Sequence, residues 1–195
     1  YAYRWIDPPG NTKPIDHYTF LDEEHTPIGR SEQATSYDPR ARLWYMQTVK
    51  DKTLIITDPE VFAALSLIGF TISAPIFANG KVAGVAAADI TLDGLSDFLA
   101  ERKISPGTLS YILDAQGGVL ANSERIKTYS ADDGLVALQP ITGFANQLPA
   151  IAYSQRPRGS DKPYPVSYQG ERYLVSCTML PVRFGVPPEI TVLDI

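Results

Sequence analysis

Cysteine and histidine are scarce in this sequence, with one cysteine and two histidines among 195 residues. A single cysteine cannot form an internal disulfide and cannot build a cysteine zinc site. His17 and His25 stand alone, without the HxxxH spacing of a metal-binding helix, so no metal site is predicted. Cys177 lies in the apolar run YLVSCTML, which favours a buried structural thiol over a nucleophile.

Basic clusters and catalytic motifs are also lacking. The net charge is −5 and the pI about 5.0, and the lysines and arginines are scattered, so the footprint of a nucleic-acid-binding protein is missing. We find no G-x-S-x-G motif, Walker loop or dinucleotide fingerprint, and no general acid/base pair stands out. The sequence therefore predicts no catalytic residues and no cofactor.

One run, residues 61–80, carries no charge over twenty positions, which is long enough for a membrane-spanning helix. Pro75 interrupts its interior, and Asn79-Gly80 is a turn signal. We interpret the run as a short helical turn at 60–67 followed by a buried strand at 69–78. The sequence thus predicts no spanning segment, and its 44% hydrophobic and 20% charged residues are typical of a globular domain.

An internal repeat organises the chain. Residues 20–32, FLDEEHTPIGRSE, align without gaps with residues 112–124, ILDAQGGVLANSE, at an offset of 92. Residues 74–85, APIFANGKVAGV, match residues 164–175, YPVSYQGERYLV, at an offset of 90. Each segment reads as a β-hairpin. The pattern predicts a structural unit of roughly ninety residues that occurs twice, although hairpins also resemble one another without a repeat.

Helices are predicted between and after the hairpins of the first unit. Pro39–Lys50 and Asp58–Ser66 are candidates, and Leu92–Lys103 has an apolar face. That face consists of Leu92, Leu95, Phe98 and Leu99. Residues 104–107 form a plausible boundary, and residues 125–163 are predicted to be irregular.

The stretch YDPRARLWY, residues 37–45, interleaves arginines with aromatic residues. A guanidinium forms paired hydrogen bonds with a carboxylate, and aromatic rings line small pockets. Arg42 and Trp44 are two residues apart, so both can reach one site only if the helix is irregular there or one side chain enters from the rim. The alternative is an aromatic core residue with a surface arginine stacked on it.

Two aspartates complete the set of candidates. Asp89 lies in the otherwise apolar or small run GVAAADITL, where a carboxylate must cap a helix, be paired or bind an amine. Its alternative role is to cap the helix that begins near Leu92. Asp58 precedes Pro59, a pattern typical of a helix N-terminus, so capping is its default role.

Together with TDPEVF, GFTISAPIFANGKVAGVAAADITLDGLSDFL and YILDAQGGVLANSE, the stretch YDPRARLWY resembles the double Cache sensor domains of bacterial transmembrane receptors. The resemblance implies an α+β fold of two tandem PAS-like modules, each an antiparallel sheet flanked by helices. Residues 1–105 would form the membrane-distal, ligand-binding module. Residues 106–195 would form the proximal module, incomplete at its C-terminus and without a ligand. The long N-terminal helix of the family is absent from this sequence.

The resemblance also implies a set of ligand-binding residues. These are Tyr37, Arg42, Trp44, Tyr45, Asp58 and Asp89. By resemblance, Arg42 and Trp44 would hold a ligand carboxylate and Asp89 a ligand ammonium. The amino-acid-sensing branch carries a Tyr-x-Asp where this sequence has Glu60 and Phe62, so the expected ligand is a carboxylate or an amine, amino-acid-like or not.

The expected function is small-molecule sensing on the periplasmic or extracellular side of the bacterial inner membrane. The parent protein would be anchored in the membrane, and a homodimer is compatible with the family. The signal would pass to a cytoplasmic nucleotide cyclase, histidine kinase or chemoreceptor output outside this chain, which itself is not expected to be an enzyme. The alternative is a ligand-free module for dimerisation or for binding a periplasmic protein.

Overall fold

The structure is a computed structural model that describes residues 2–6, 14–62, 66–103, 105–157, 159–180 and 190–195. The chain folds into two compact units, Tyr1–Arg42 and Leu43–Ile195. Each unit is described by itself below.

The first unit contains a three-stranded antiparallel sheet in the order β1-β2-β3. Its strands are β1 (Ala2–Ile6), β2 (Ile15–Leu21) and β3 (Pro27–Ala34). In the turn between β2 and β3, Asp22 Oδ1 accepts hydrogen bonds from the backbone N–H groups of Glu24 and Thr26, at 2.9 and 2.8 Å. A 3-10 helix, Pro39–Ala41, ends the unit.

The second unit begins with α1 (Leu43–Asp51) and an antiparallel sheet built around one long strand. The strands of this first sheet are β4 (Ile55–Ile56), β5 (Glu60–Phe62), β6 (Leu67–Ala78) and β7 (Lys81–Thr91). β6 pairs with all three of the others. The predicted strand at 69–78 is therefore confirmed, but its predicted burial does not extend to Ile76 and Phe77, which are 52% and 53% exposed.

The helix predicted over Asp58–Ser66 and the helical turn predicted at 60–67 are both wrong, because Glu60–Phe62 pairs with Leu67–Gly69 as a strand. Residues 63–65 of those predictions lie outside the described residues. Gly69 is required where β6 lies between β5 and β7, since an added Cβ would lie 2.2 Å from the carbonyl oxygen of Ile90 and 2.7 Å from the ring of Phe62.

The two faces of β6 differ in polarity because successive side chains of a strand point to opposite faces. Phe70 and Ile72 lie on the apolar face and pack with Leu92 in a hydrophobic cluster. Thr71 and Ser73 lie on the other face and are 2% and 1% exposed. The sheet thus has an apolar back and a polar front, and the polar front carries the candidate site.

α2 (Leu92–Glu101) follows β7 directly. Thr91 caps it by accepting a hydrogen bond from the Gly94 N–H, so the capping role considered for Asp89 is wrong. Leu92 is fully buried, as the predicted apolar face requires, but Phe98 is 54% exposed and does not belong to the buried face.

A second, five-stranded antiparallel sheet follows, in the order β12-β13-β14-β8-β9. Its strands are β8 (Ser110–Leu113), β9 (Val119–Asn122), β12 (Tyr164–Tyr168), β13 (Glu171–Leu180) and β14 (Ile190–Asp194). One face packs on buried residues of the chain between β9 and β12, including Phe144, Leu148 and Ala152.

Residues 125–163, predicted to be irregular, contain regular structure. A hairpin is formed by β10 (Tyr129–Asp132) and β11 (Leu135–Leu138), and a 3-10 helix (Ile141–Gly143) and α3 (Leu148–Ser154) follow. The described part of the chain contains no helix long and apolar enough to cross a membrane.

Both predicted pairs of hairpins are confirmed. Asp114 Oδ1 accepts from the N–H groups of Gln116 and Gly118, which repeats the bonding of Asp22 at the same offset of 92. Asn79-Gly80 and Gln169-Gly170 both have two positive φ angles, 50° and 73° in the first and 50° and 86° in the second. This is the pattern of a type I′ turn.

Candidate functional site

The segment before α1 is shaped by Asp38. Its Oδ1 accepts from the backbone N–H of Arg40 at 2.9 Å, which caps the 3-10 helix. Arg40 also donates to both carboxylate oxygens, at 3.0 and 2.8 Å. These hydrogen bonds lower the pKa of Asp38 to about 2. Arg40 is therefore engaged by its neighbour two residues away.

Arg42 interrupts the predicted helix. Its backbone is extended, with φ −85° and ψ 149°, between the 3-10 helix and α1. The sequence analysis required an irregular helix near Arg42 and Trp44 if both side chains are to reach one site, and the extended backbone of Arg42 is such an irregularity. Within the first unit, the Arg42 guanidinium lies over the ring of Tyr37, 4.6 Å from its centroid. A cation at this distance is attracted by the face of the ring, which holds the exposed Arg42 side chain in one direction.

Trp44 and Tyr45 occupy the first turn of α1, and both are half-buried. Their rings meet edge to face, with centroids 5.7 Å apart. Ser73 anchors this turn to β6, because its hydroxyl donates to the Trp44 carbonyl at 3.4 Å and contacts Thr48 Oγ1 at 2.7 Å. The position of Trp44 is therefore set by a buried contact with the polar front of the sheet.

Asp89 lies on β7, opposite Thr71 of β6. Thr71 Oγ1 donates to Asp89 Oδ1 at 2.7 Å. Thr71 is buried, whereas Asp89 is exposed. The backbone N–H of Thr71 in turn donates to Thr57 Oγ1 at 3.0 Å. Asp89 is thus an accessible carboxylate whose direction is fixed by a buried hydroxyl, an arrangement that suits an ammonium ligand.

Asp58 lies elsewhere in the second unit. It is exposed and lines a cleft of about 300 Å³, and no helix follows it, so its predicted capping role is wrong. The other lining residues are Leu43, Gln47, Asp51, Ile55, Ile56, Thr57, Pro59, Phe70, Asp114, Ala115, Gln116 and Leu120. Trp44, Tyr45 and Asp89 are not among the described residues that line this cleft.

Thr71 and Ser73 were missed by the sequence analysis. A signal for them existed, because they alternate with apolar residues in GFTISAP, so both must face the same side of a strand. Buried hydroxyls need partners, and the polar side was therefore a place to look for Asp89. The hydrogen-bond partners of Thr71 and Ser73 lie on other helices and strands, so the sequence GFTISAP alone could not identify them.

Cys177 is 6% exposed, which confirms the predicted buried thiol. Burial raises the pKa of this thiol above its ordinary value, which disfavours the nucleophilic thiolate. Among the residues that the structure describes, no group of three or more His, Cys, Asp or Glu side chains could hold a metal ion.

The chain matches one family model and several known proteins over part of its length. The model of a family described as the methyl-accepting chemotaxis protein-like, first PDC sensor domain matches residues 1–97. Adenylate cyclase 1 of Rhizobium meliloti is 31% identical over 124 residues, which cover 63% of this chain and 18% of that protein. The chemotaxis protein PscA of Pseudomonas syringae pv. tomato is 32% identical over 97 residues, 50% of this chain and 15% of that protein.

A solved structure supports the fold. The sensory domain of the Campylobacter jejuni chemoreceptor Tlp3, with isoleucine bound, has a TM-score of 0.53 and 17% sequence identity. The match covers 100% of this chain and 66% of that one. The chain spans less than one fifth of the length of the curated relatives named above.

The chain is a sensory domain of signal transduction, a class that is not itself catalytic. Its fold is mixed α and β and dominated by sheets, consistent with the PAS-like Cache fold. Within this class, residues 1–97 belong to the PDC sensor domains found in methyl-accepting chemotaxis proteins. The resemblance to Cache sensor domains inferred from the sequence is thereby confirmed.

Proposed function

We propose that the chain senses a small molecule that carries an ammonium group, a carboxylate or both, as an amino acid does. The observation that carries this proposal is the exposed carboxylate of Asp89, held by the buried Thr71 hydroxyl on the polar front of the first sheet. The Thr71 hydroxyl holds one oxygen of a carboxylate that is otherwise exposed, so Asp89 is directed and still accessible to a ligand.

The proposed roles follow the chemistry of each side chain. Asp89 accepts hydrogen bonds from the ligand ammonium, and Arg42 donates to the ligand carboxylate. Trp44 and Tyr45 shield the apolar part of the ligand from water. Tyr37 supports Arg42 through its ring. Asp58, which lines the separate cleft of the second unit, stays a predicted ligand-binding residue without a role beside Asp89.

The proposed organisation is a pair of tandem PAS-like modules, residues 1–105 and 106–195, of which the first binds the ligand. The module would lie on the extracytoplasmic side of the inner membrane as part of an anchored, dimeric receptor. A ligand that prefers one conformation shifts the equilibrium between conformations, and the second module passes this shift to a cytoplasmic output. The relatives include an adenylate cyclase and chemotaxis proteins, so both kinds of output are candidates.

A thermal-shift screen tests the proposal. The panel contains amino acids, small carboxylates, amines and purines, beginning with isoleucine. A ligand at one hundred times its dissociation constant stabilises the folded state by about 2.7 kcal/mol. We expect a rise in melting temperature with at least one compound, and its loss in Arg42→Ala or in Asp89→Asn.

Arg172→Ala is the matched control, because Arg172 is an exposed arginine on β13, in the second sheet. It should keep the full ligand-induced shift. No shift across the panel, with folded protein, would overturn small-molecule sensing and favour a module that dimerises or binds a periplasmic protein.

A further inference from the structure

The polar front of β6 carries two buried hydroxyls with different partners. Thr71 and Ser73 are 2% and 1% exposed. They are two residues apart on one strand, so their side chains leave the same face about 7 Å apart. Because a buried hydroxyl without a partner is costly, the two partners show what each residue holds in place.

Thr71 holds Asp89. A threonine hydroxyl has a single hydrogen to donate, and the geometry gives that hydrogen to Asp89 Oδ1 at 2.7 Å. Thr71 is β-branched, so its χ1 angle is stiff. Its backbone N–H is bonded separately to Thr57 Oγ1, and this bond does not depend on the hydroxyl.

Ser73 serves another element. Its hydroxyl contacts the Trp44 carbonyl at 3.4 Å and Thr48 Oγ1 at 2.7 Å, and in the shorter contact either hydroxyl can be the donor. Ser73 therefore fixes the first turn of α1, and its two described hydrogen bonds do not involve Asp89. Two similar hydroxyls on one strand face thus have separable tasks.

We propose that Thr71 is a positioning residue that orients Asp89 for the ligand ammonium, so that this domain selects amine-bearing compounds through a residue that does not touch them. The inference rests on the proposed function of Asp89. One part of the inference does not depend on a ligand: the Thr71 hydroxyl holds the Asp89 side chain in one rotamer.

The structural part is tested first, by measuring the χ1 couplings and the carboxyl carbon resonance of Asp89 by NMR. In the wild type and in Thr71→Ser, which keeps the hydroxyl, we expect one Asp89 rotamer. In Thr71→Val, which has the same shape without the donor, the couplings should average. Ser73→Ala is the matched control: it removes a buried hydroxyl from the same face and should leave Asp89 in one rotamer.

Binding is tested with isoleucine and its deaminated counterpart, 3-methylpentanoate. Losing the pre-organisation of one side chain should weaken isoleucine binding roughly two- to tenfold in Thr71→Val. The affinity for 3-methylpentanoate should stay unchanged, and Thr71→Ser should restore isoleucine binding. A merely structural role would weaken both compounds equally.

The outcomes separate this inference from the proposed function. A single Asp89 rotamer in Thr71→Val overturns the positioning role, whatever binds. If neither compound binds the wild type but the rotamer averages in Thr71→Val, the positioning of Asp89 is supported and isoleucine is excluded as the ligand. Equal losses for isoleucine and 3-methylpentanoate would overturn selection of the amine.

Discussion

The hairpin β6–β7 and the hairpin β12–β13 have matching sequences at an offset of 90 and matching two-residue turns. The two hairpins differ in the exposure of one face, which in the β6–β7 hairpin is the face that carries Asp89. Val85 is half-buried there and Ala87 is exposed, whereas their counterparts Val175 and Cys177 are 0% and 6% exposed. The β6–β7 pairing contains a bulge between Ile76 and Phe77, whereas the β12–β13 pairing is regular. At these two matched positions β7 is therefore accessible and β13 is packed.

The packed face is covered by its own chain. Tyr164, Val175 and Cys177 share a hydrophobic cluster with Phe144 and Leu148. Protein interiors are as dense as organic crystals, so no space for a ligand remains where these side chains meet. The corresponding face of the first sheet carries the buried hydroxyls of Thr71 and Ser73, which have hydrogen-bond partners within the protein, and the exposed carboxylate of Asp89. The comparison teaches that hairpins with matching turns can present strands of very different exposure, depending on their side chains and on the chain segments that cover them.

The largest expected effect comes from placing a charge at matched positions, with Cys177→Lys compared with Ala87→Lys. An unpaired ammonium in the packed face should lower the free energy of unfolding by about 3–5 kcal/mol. The same substitution at the exposed Ala87 should change it by less than about 0.5 kcal/mol. Urea denaturation of both variants measures the difference, and equal losses would mean that the two faces are equally packed.

A smaller effect is expected when side-chain volume is removed. Val175→Ala should cost about 2 kcal/mol, because two buried methyl groups are lost and a cavity is left behind. Its counterpart Val85→Ala, at a half-buried position, should cost less than about 1 kcal/mol. Denaturant midpoints at a constant m-value provide the measurement. A larger loss for Val85 would contradict the difference in packing between the hairpins.

The smallest effect concerns one hydrogen bond in the packed face, from the Tyr164 hydroxyl to the Ala152 carbonyl at 2.7 Å. Tyr164→Phe should cost about 1 kcal/mol. Burial, with a smaller contribution from the charge of Cys177, raises the pKa of Tyr164 to about 12. Because the unfolded pKa is about 10, this stabilisation is fully present below pH 10 and is lost as the pH rises through 12.

The titration can be followed by tyrosinate absorbance. Tyr129 also has a pKa of about 12, raised by burial and by its hydrogen bond to Asp93. The experiment therefore uses a Tyr129→Phe background, in which Tyr164→Phe should remove a component near pH 12. If that component persists, another tyrosine is responsible.

Sequence reasoning worked where the signal was local. Asn79-Gly80 and Gln169-Gly170 favour type I′ turns because their residues tolerate positive φ, and both turns are present. Asp22 and Asp114 bond to backbone groups two and four residues ahead, which a short repeat can encode. These features could be predicted since each depends on a few neighbouring residues.

The failures depend on distant partners. Glu60–Phe62 was predicted to be helical, but pairing with β6 makes it a strand. Phe98 has helical spacing with Leu92 and yet is exposed, because the neighbouring elements decide which part of an apolar stripe is covered. For the candidate site, the sequence singled out Asp89, and its role as a ligand-binding residue stays a prediction. Thr71, 18 residues away, could be found only once β6 and β7 were paired.

Cys177 gives the molecule a practical property. It is the sole cysteine of the sequence, and it is buried with a raised pKa. Maleimide dyes react with thiolates, so this thiol should label poorly while the protein is folded. A single Ala87→Cys substitution would therefore place one reactive thiol on the exposed face of β7, two residues from Asp89. A fluorophore attached there would report occupancy of the polar front without any need to remove the natural cysteine.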